Sequence, residues 1–185
     1  MRELALHLLD IAENSVAAGA KTIQIIADED IANDRLKLAV IDDGIGMDAQ
    51  MVSRVTDPFV TTRTTRKVGL GIPLLKEAAE ACDGFLKISS IPGKGTRIEV
   101  EFRHSHIDRM PLGDLPGTWL ILLVSYPDIH WIFQYNHGSD CFEFDDVLLK
   151  QELGDVSLTE PTVLTFLRQC LQEGVACIQS STVIQ

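Results

Sequence analysis

Leu36, Leu38 and Val40 recur at alternate positions, and Ile41 leads straight into Asp42-Asp43-Gly44-Ile45-Gly46-Met47. That junction restricts the fold more than any other stretch of the 185-residue chain. Period-two alternation marks a half-buried strand. Two glycines just beyond its end let the backbone turn and approach whatever the strand end faces. An Asp-Asp-Gly turn is also an ordinary way to reverse a chain after a strand, so the junction needs its surroundings.

Upstream, Leu4, Leu8, Ile11 and Ser15 recur at helical spacing, Val16 extends the stripe and Gly19 follows. The spacing predicts a helix over about 3–18 with a glycine stop. Ile23 and Ile25 alternate with Thr22 and Gln24, and a polar turn over 28–34 makes this strand and the next a hairpin. Downstream, a short helix is expected over 48–55. Residues 57–67 lack periodicity and are rich in Thr and Arg, and Leu70 to Cys82 returns to helical spacing. Two more strands flank Pro92-Gly93-Lys94-Gly95. This order suits helices layered on one face of a mainly antiparallel sheet. Pro111, Gly113, Pro116 and Gly117 mark a linker over 104–117. Beyond it we expect an apolar strand over 118–125, strands over 130–135 and 141–145, and helices over 146–152 and 160–173. The division is 1–103, linker 104–117, and a small α+β unit over 118–185.

Hydrophobic residues make up 45% and charged residues 23%, enough for a packed core and against wholesale disorder. The net charge of −11 argues against nucleic acid as the main partner, because phosphate backbones are held by clustered Lys and Arg. Cys82, Cys141, Cys170 and Cys177 are scattered, which argues against structural zinc and for unpaired buried thiols in a reducing compartment. The N-terminus lacks a signal-peptide pattern, and Trp119 to Val124 is too short to span a bilayer. A soluble, cytoplasmic protein is expected, with no membrane partner.

Four short motifs carry chemistry. Asp10 and Asn14 share one helix face, and a carboxylate beside an amide oxygen suits magnesium, a hard ion usually held by few protein oxygens plus phosphates. Solvated helical residues would look the same. Asp42 at a strand end can accept from the exocyclic amine of adenine, with the glycines admitting the ring. Hydroxyls and cations in Thr61-Thr62-Arg63-Thr64-Thr65-Arg66-Lys67 can fold over phosphates. Gly69-Leu70-Gly71 opens a helix, where free N–H groups attract phosphate. Gly93-Lys94-Gly95-Thr96 is also accounted for by a hairpin turn.

In order and spacing these motifs resemble the GHKL superfamily: the ATP-binding domains of gyrase, heat-shock chaperones, histidine kinases and MutL. Residues 13–20, Glu-Asn-Ser-Val-Ala-Ala-Gly-Ala, are similar to a MutL-type N box, and Asp42 to Met47 to the first glycine box. Asp57-Pro58-Phe59 and Gly69-Leu70-Gly71 resemble the F box and second glycine box of histidine kinases, and Gly93 to Thr96 the loop before their last strand. The resemblance covers about 1–102. It implies the Bergerat-type α/β sandwich, bound ATP and Mg2+, and a lid over 57–67. Carried over by motif, Asn14 is the magnesium ligand and Asp42 the adenine reader. Gly44, Gly46 and Met47 form pocket wall; Phe59, Thr62, Arg63 and Lys67 belong to the lid side; Gly69, Leu70 and Gly71 lie on the phosphate side, and Thr96 on the hairpin. Two positions depart from the family pattern. Asp10 stands where hydrolytic members carry a water-activating Glu, one methylene longer. Lys67 replaces the first glycine of the kinase G-x-G-x-G.

Histidine kinases carry a phosphoacceptor His on a helical hairpin before this domain; here a stand-alone domain without that hairpin is expected. His7, His104, His106, His130 and His137 read as structural or surface residues. The implied function is a regulatory Mg-ATP-binding protein, a kinase acting in trans on a protein partner or phosphoacceptor, as anti-sigma-factor kinases do. An ATPase coupling hydrolysis to lid and partner movement is the alternative. Residues 57–114, with His106-Ile107-Asp108-Arg109, also resemble small ATP-binding proteins that accompany iron hydrogenase or NADH-oxidoreductase components, implying a non-catalytic ATP sensor of a redox system. The polar residues after 117 show no metal or triad spacing, so that part is expected to dock a partner or extend the structure.

Overall fold

A computed structural model describes residues 3–56, 71–154 and 156–181. Helix α1 (Leu4–Ala17) buries Leu4, Leu8, Ile11 and Ser15, the stripe seen in the sequence. Gly19 follows in the left-handed region at φ 73°, the conformation a helix stop favours in glycine. Strands β1 (Thr22–Asp30) and β2 (Arg35–Asp42) pair antiparallel, with Ile25 opposite Val40. Asp48 caps α2 (Ala49–Val55) by accepting from the Met51 N–H at 2.7 Å. Helix α3 (Gly71–Glu80) and the hairpin of β3 (Phe85–Ile91) and β4 (Gly95–Arg103) follow.

The chain continues as α4 (Leu115–Ser125), β5 (His130–His137), β6 (Asp140–Asp145), α5 (Asp146–Leu153) and α6 (Pro161–Ser181). The six strands form one sheet in the order β3-β4-β2-β1-β5-β6. Every neighbouring pair is antiparallel except β1 and β5, which run parallel.

Residues 118–125 are a correction: they are helical, not a strand. An all-apolar run suits either state. The deciding signals lie just before it, where Asp114 accepts from the Gly117 N–H at 2.9 Å and Pro116 occupies the first turn, both helix-start features. The segment expected as a linker is also packed. Pro111 and Leu112 carbonyls accept from the Leu4 and Ala5 N–H groups at 3.0 and 2.8 Å, satisfying the α1 start, where Glu3 makes no side-chain cap. Nor do residues 118 onward stand apart. Trp119, Trp131, Phe133 and Tyr135 are buried in the same core as Leu4, Leu8 and Ile25, and Trp119 stacks on Phe133 at 5.1 Å. Burial separates the thiols differently from the expectation: Cys82 is buried, but Cys141 and Cys177 are exposed. Among the described residues no helix is long and apolar enough to cross a membrane.

Candidate functional site

The strand register builds the site. Side chains of paired residues point to the same face, so rows run across β2, β4 and β3. Leu38, Val100 and Leu86 form one row, and Val40, Ile98 and Ile88 the next. One step further the row turns polar: Asp42, Thr96 and Ser90. This change falls at the sheet end, where a cavity of about 650 Å³ is lined by Asp42, Met47, Val52, Ile88, Ser90 and Thr96 among others.

Asp42 is held at three points. Its Oδ2 accepts from the Ser15 hydroxyl at 2.7 Å; its Oδ1 accepts from the Gly44 N–H at 2.9 Å and the Thr96 N–H at 3.2 Å. Helix α1, the glycine loop and the hairpin therefore converge on one carboxylate. Ser15 and Ser90 were not among the sequence candidates. Ser15 follows Asn14 directly and sits on the buried stripe, the one signal that could have singled it out.

The neighbouring Asp43 has another task. Its Oδ1 accepts from the Lys21 and Thr22 N–H groups at 2.6 and 2.9 Å. Burial pulls its pKa up, but these amides outweigh burial and hold it below the usual carboxylate value. The glycines are close-approach positions. A Cβ at Gly46, which has φ 66°, would lie 2.1 Å from the Ile91 oxygen, and one at Gly95, with φ 103°, 1.9 Å from the Asp42 carbonyl oxygen. The loop over 93–96 is thus more than a hairpin turn: its backbone seals against the strand end that carries Asp42.

Asp10 and Asn14 are both half-buried on α1. Asp10 reaches the first turn of α3, where a Cβ at Gly71 would lie 1.7 Å from its Oδ2. The structure thus brings Asp10 to Gly71, and gathers Asp42, Gly44, Gly46, Met47 and Thr96 at the cavity end of the sheet. Phe59, Thr62, Arg63, Lys67, Gly69 and Leu70, with the lid expected over 57–67, lie outside the described residues.

A second group corrects the expectation that polar residues after 117 do not converge. Ligand atoms of His130, Asp145 and Asp146 lie within 4.8 Å of one another. His130 Nε2 contacts Asp145 Oδ1 at 2.9 Å, and that oxygen also accepts from the Val147 N–H. Asp146 is fully buried, and burial raises its pKa against the opposing Lys150 ammonium. Lys150 Nζ, 2.5 Å from Asp146 Oδ2, also donates to the Ile129 carbonyl. The Lys150 ammonium already sits against Asp146, so the group is an ion-pair cluster around one buried carboxylate at the start of α5.

Helix, loop and hairpin thus converge on one carboxylate beside a cavity at the end of a sheet packed against helices. The family model for histidine kinase-, DNA gyrase B- and HSP90-like ATPases matches residues 1–106, and the chain belongs to that family. Its sandwich is the Bergerat type. Over 84 residues it is 34% identical to the sensor histidine kinase YxdK of Bacillus subtilis, covering 43% of this chain and 25% of that protein. Over 111 residues it is 31% identical to the non-motile and phage-resistance protein of Caulobacter vibrioides, covering 55% and 13%. The matched segment therefore spans a quarter or less of these relatives' own length. The N-terminal domain of a DNA repair protein shares the fold at a TM-score of 0.54 and 15% identity, over 78% of this chain and 52% of that one.

Proposed function

We propose that the chain binds Mg-ATP and serves as a regulatory protein kinase acting in trans, of the histidine-kinase or anti-sigma-factor-kinase type. The observation that carries this reading is the triply held Asp42 carboxylate facing an apolar-lined cavity. An oriented acceptor beside Met47, Val52 and Ile88 suits the amino edge and faces of adenine. Membership of an ATPase family with sensor histidine kinases among its relatives supports it. Asn14 and Asp10 supply the oxygen donors that magnesium prefers, and a bound magnesium would neutralise phosphate charge there.

Incubating the protein with γ-labelled ATP, alone and with cell extract, tests the kinase reading. Label should appear on a second polypeptide and depend on Asp42. Asp10 supports a second reading, an ATPase, because its carboxylate stands at the first turn of α3, next to Gly71. Released phosphate that is lost in Asp10→Asn, with no labelled polypeptide, would establish that reading in place of the first. Asn14→Ala should weaken ATP binding with magnesium and matter much less in EDTA; equal losses would point to folding and away from the metal.

A further inference from the structure

We propose that Ser90 determines which purines the cleft accepts, by fixing the direction of the Thr96 hydroxyl proton. The inference rests on reading the cavity as a purine-nucleotide site. Ser90 Oγ accepts from the Met47 N–H at 2.7 Å, contacts the Gly95 carbonyl oxygen at 3.0 Å and contacts Thr96 Oγ1 at 2.9 Å. A serine hydroxyl has one proton and two lone pairs. A carbonyl oxygen only accepts, so the Ser90 proton goes to Gly95. One lone pair takes the Met47 N–H, and the other remains for Thr96, which must donate. All three Ser90 capacities are then used, and Thr96 has spent its only proton.

The consequence falls on the cavity. Thr96 lines it with lone pairs alone, and Asp42, the next residue of the polar row, is an acceptor as well. A wall of acceptors welcomes a 6-amino group and repels a 6-oxo group placed against it, since two facing acceptors leave each other unsatisfied. Ser90 also lines the cavity, but its hydroxyl has no proton or lone pair left for a ligand, so it acts through Thr96 as a positioning residue. Serine in a strand with intermediate exposure gives no hint of this from sequence, because the role exists only once β3 pairs with β4 in this register.

Calorimetric titration of ATP and of inosine triphosphate, which carries a 6-oxo in place of the 6-amino group, gives the direct test. The wild type should prefer ATP. Ser90→Ala frees the Thr96 proton to turn toward the cavity, and the ratio of the two dissociation constants should fall about five- to tenfold. Ser90→Thr, which keeps the hydroxyl, should retain the wild-type ratio. A merely structural role would weaken both ligands alike, and an unchanged ratio in Ser90→Ala overturns the proposal. Should that variant fail to fold, Thr96→Val replaces it: removing the acceptor should narrow the ratio, and an unchanged ratio there overturns the proposal equally. A wild type that prefers ATP while Ser90→Ala keeps its ratio sinks only the Ser90 role. A wild type that binds neither triphosphate sinks the cleft reading together with it.

Discussion

Asp42 accepts three hydrogen bonds before any ligand arrives, and each donor comes from a different part of the chain. Ser15→Ala should therefore loosen the carboxylate without removing it, costing about 1 kcal/mol, or roughly fivefold in ATP affinity. Titration beside wild type checks this; a full loss would mean that Ser15 holds up the fold instead. His7 belongs to the same helix and has a different consequence. It is buried, with its Nδ1 lacking a partner among the described residues. Burial holds its pKa below the ordinary histidine value, against the raising influence of Asp10. The unfolded chain then binds the proton more readily than the folded one, so stability is whole above the unfolded pKa of about 6.5 and falls as pH drops below it. The melting temperature should decrease from pH 7.5 to 5.5, and by less in His7→Leu; equal decreases would contradict this. At this scale Asp42 and its glycines were legible from the order and spacing of the four motifs together, because an Asp-Asp-Gly turn alone is an ordinary way to leave a strand. Ser15 and Ser90 stayed hidden, since a hydroxyl acquires its role only from partners 27 and 43 residues distant.

Among the elements, the glycine loop and the β3–β4 hairpin act as one clamp. Gly46→Ala would drive a Cβ into the Ile91 carbonyl from a positive φ, so separation of loop from hairpin is expected, with ATP affinity falling at least tenfold and a destabilisation of about 1–3 kcal/mol. Chemical denaturation and titration measure the two; wild-type affinity would show that the close approach is not needed. Most elements up to β4 were legible because the strands alternate and α1 and α3 carry an apolar stripe, whereas α2 buries no residue and was marked by its Asp48 start. α4 was not. Its residues are apolar almost all round, with Ile121 53% exposed amid buried neighbours, and such a run has no period to read. Asp114 and Pro116 held the answer, four and two residues ahead of the apolar run over 118–125.

For the whole molecule, β5 matters most. It lies parallel beside β1, pairing Thr22 with His130 through Glu29 with His137. No local turn announces a pairing of strands more than a hundred residues apart, so the sequence suggested a separate unit where there is a continuation of one sheet. Tyr135 donates to Glu29 at 2.7 Å and accepts from Gln179 at 3.1 Å, tying α6 to the first strand. A fragment ending at Arg109 would expose the β1 edge and half the core, and would leave the α1 start uncapped. It should be insoluble or lack a cooperative melt, and a soluble fragment that binds ATP would contradict the shared core. The central claim, that the carboxylate at the end of β2 reads an adenine base, has its most direct test in calorimetry of the full chain with ATP and magnesium. Wild type should bind, and Asp42→Asn should lose roughly ten- to hundredfold in affinity, about 1.5–3 kcal/mol, while keeping its melting transition. Equal binding by the folded variant, or none by wild type, would contradict the account.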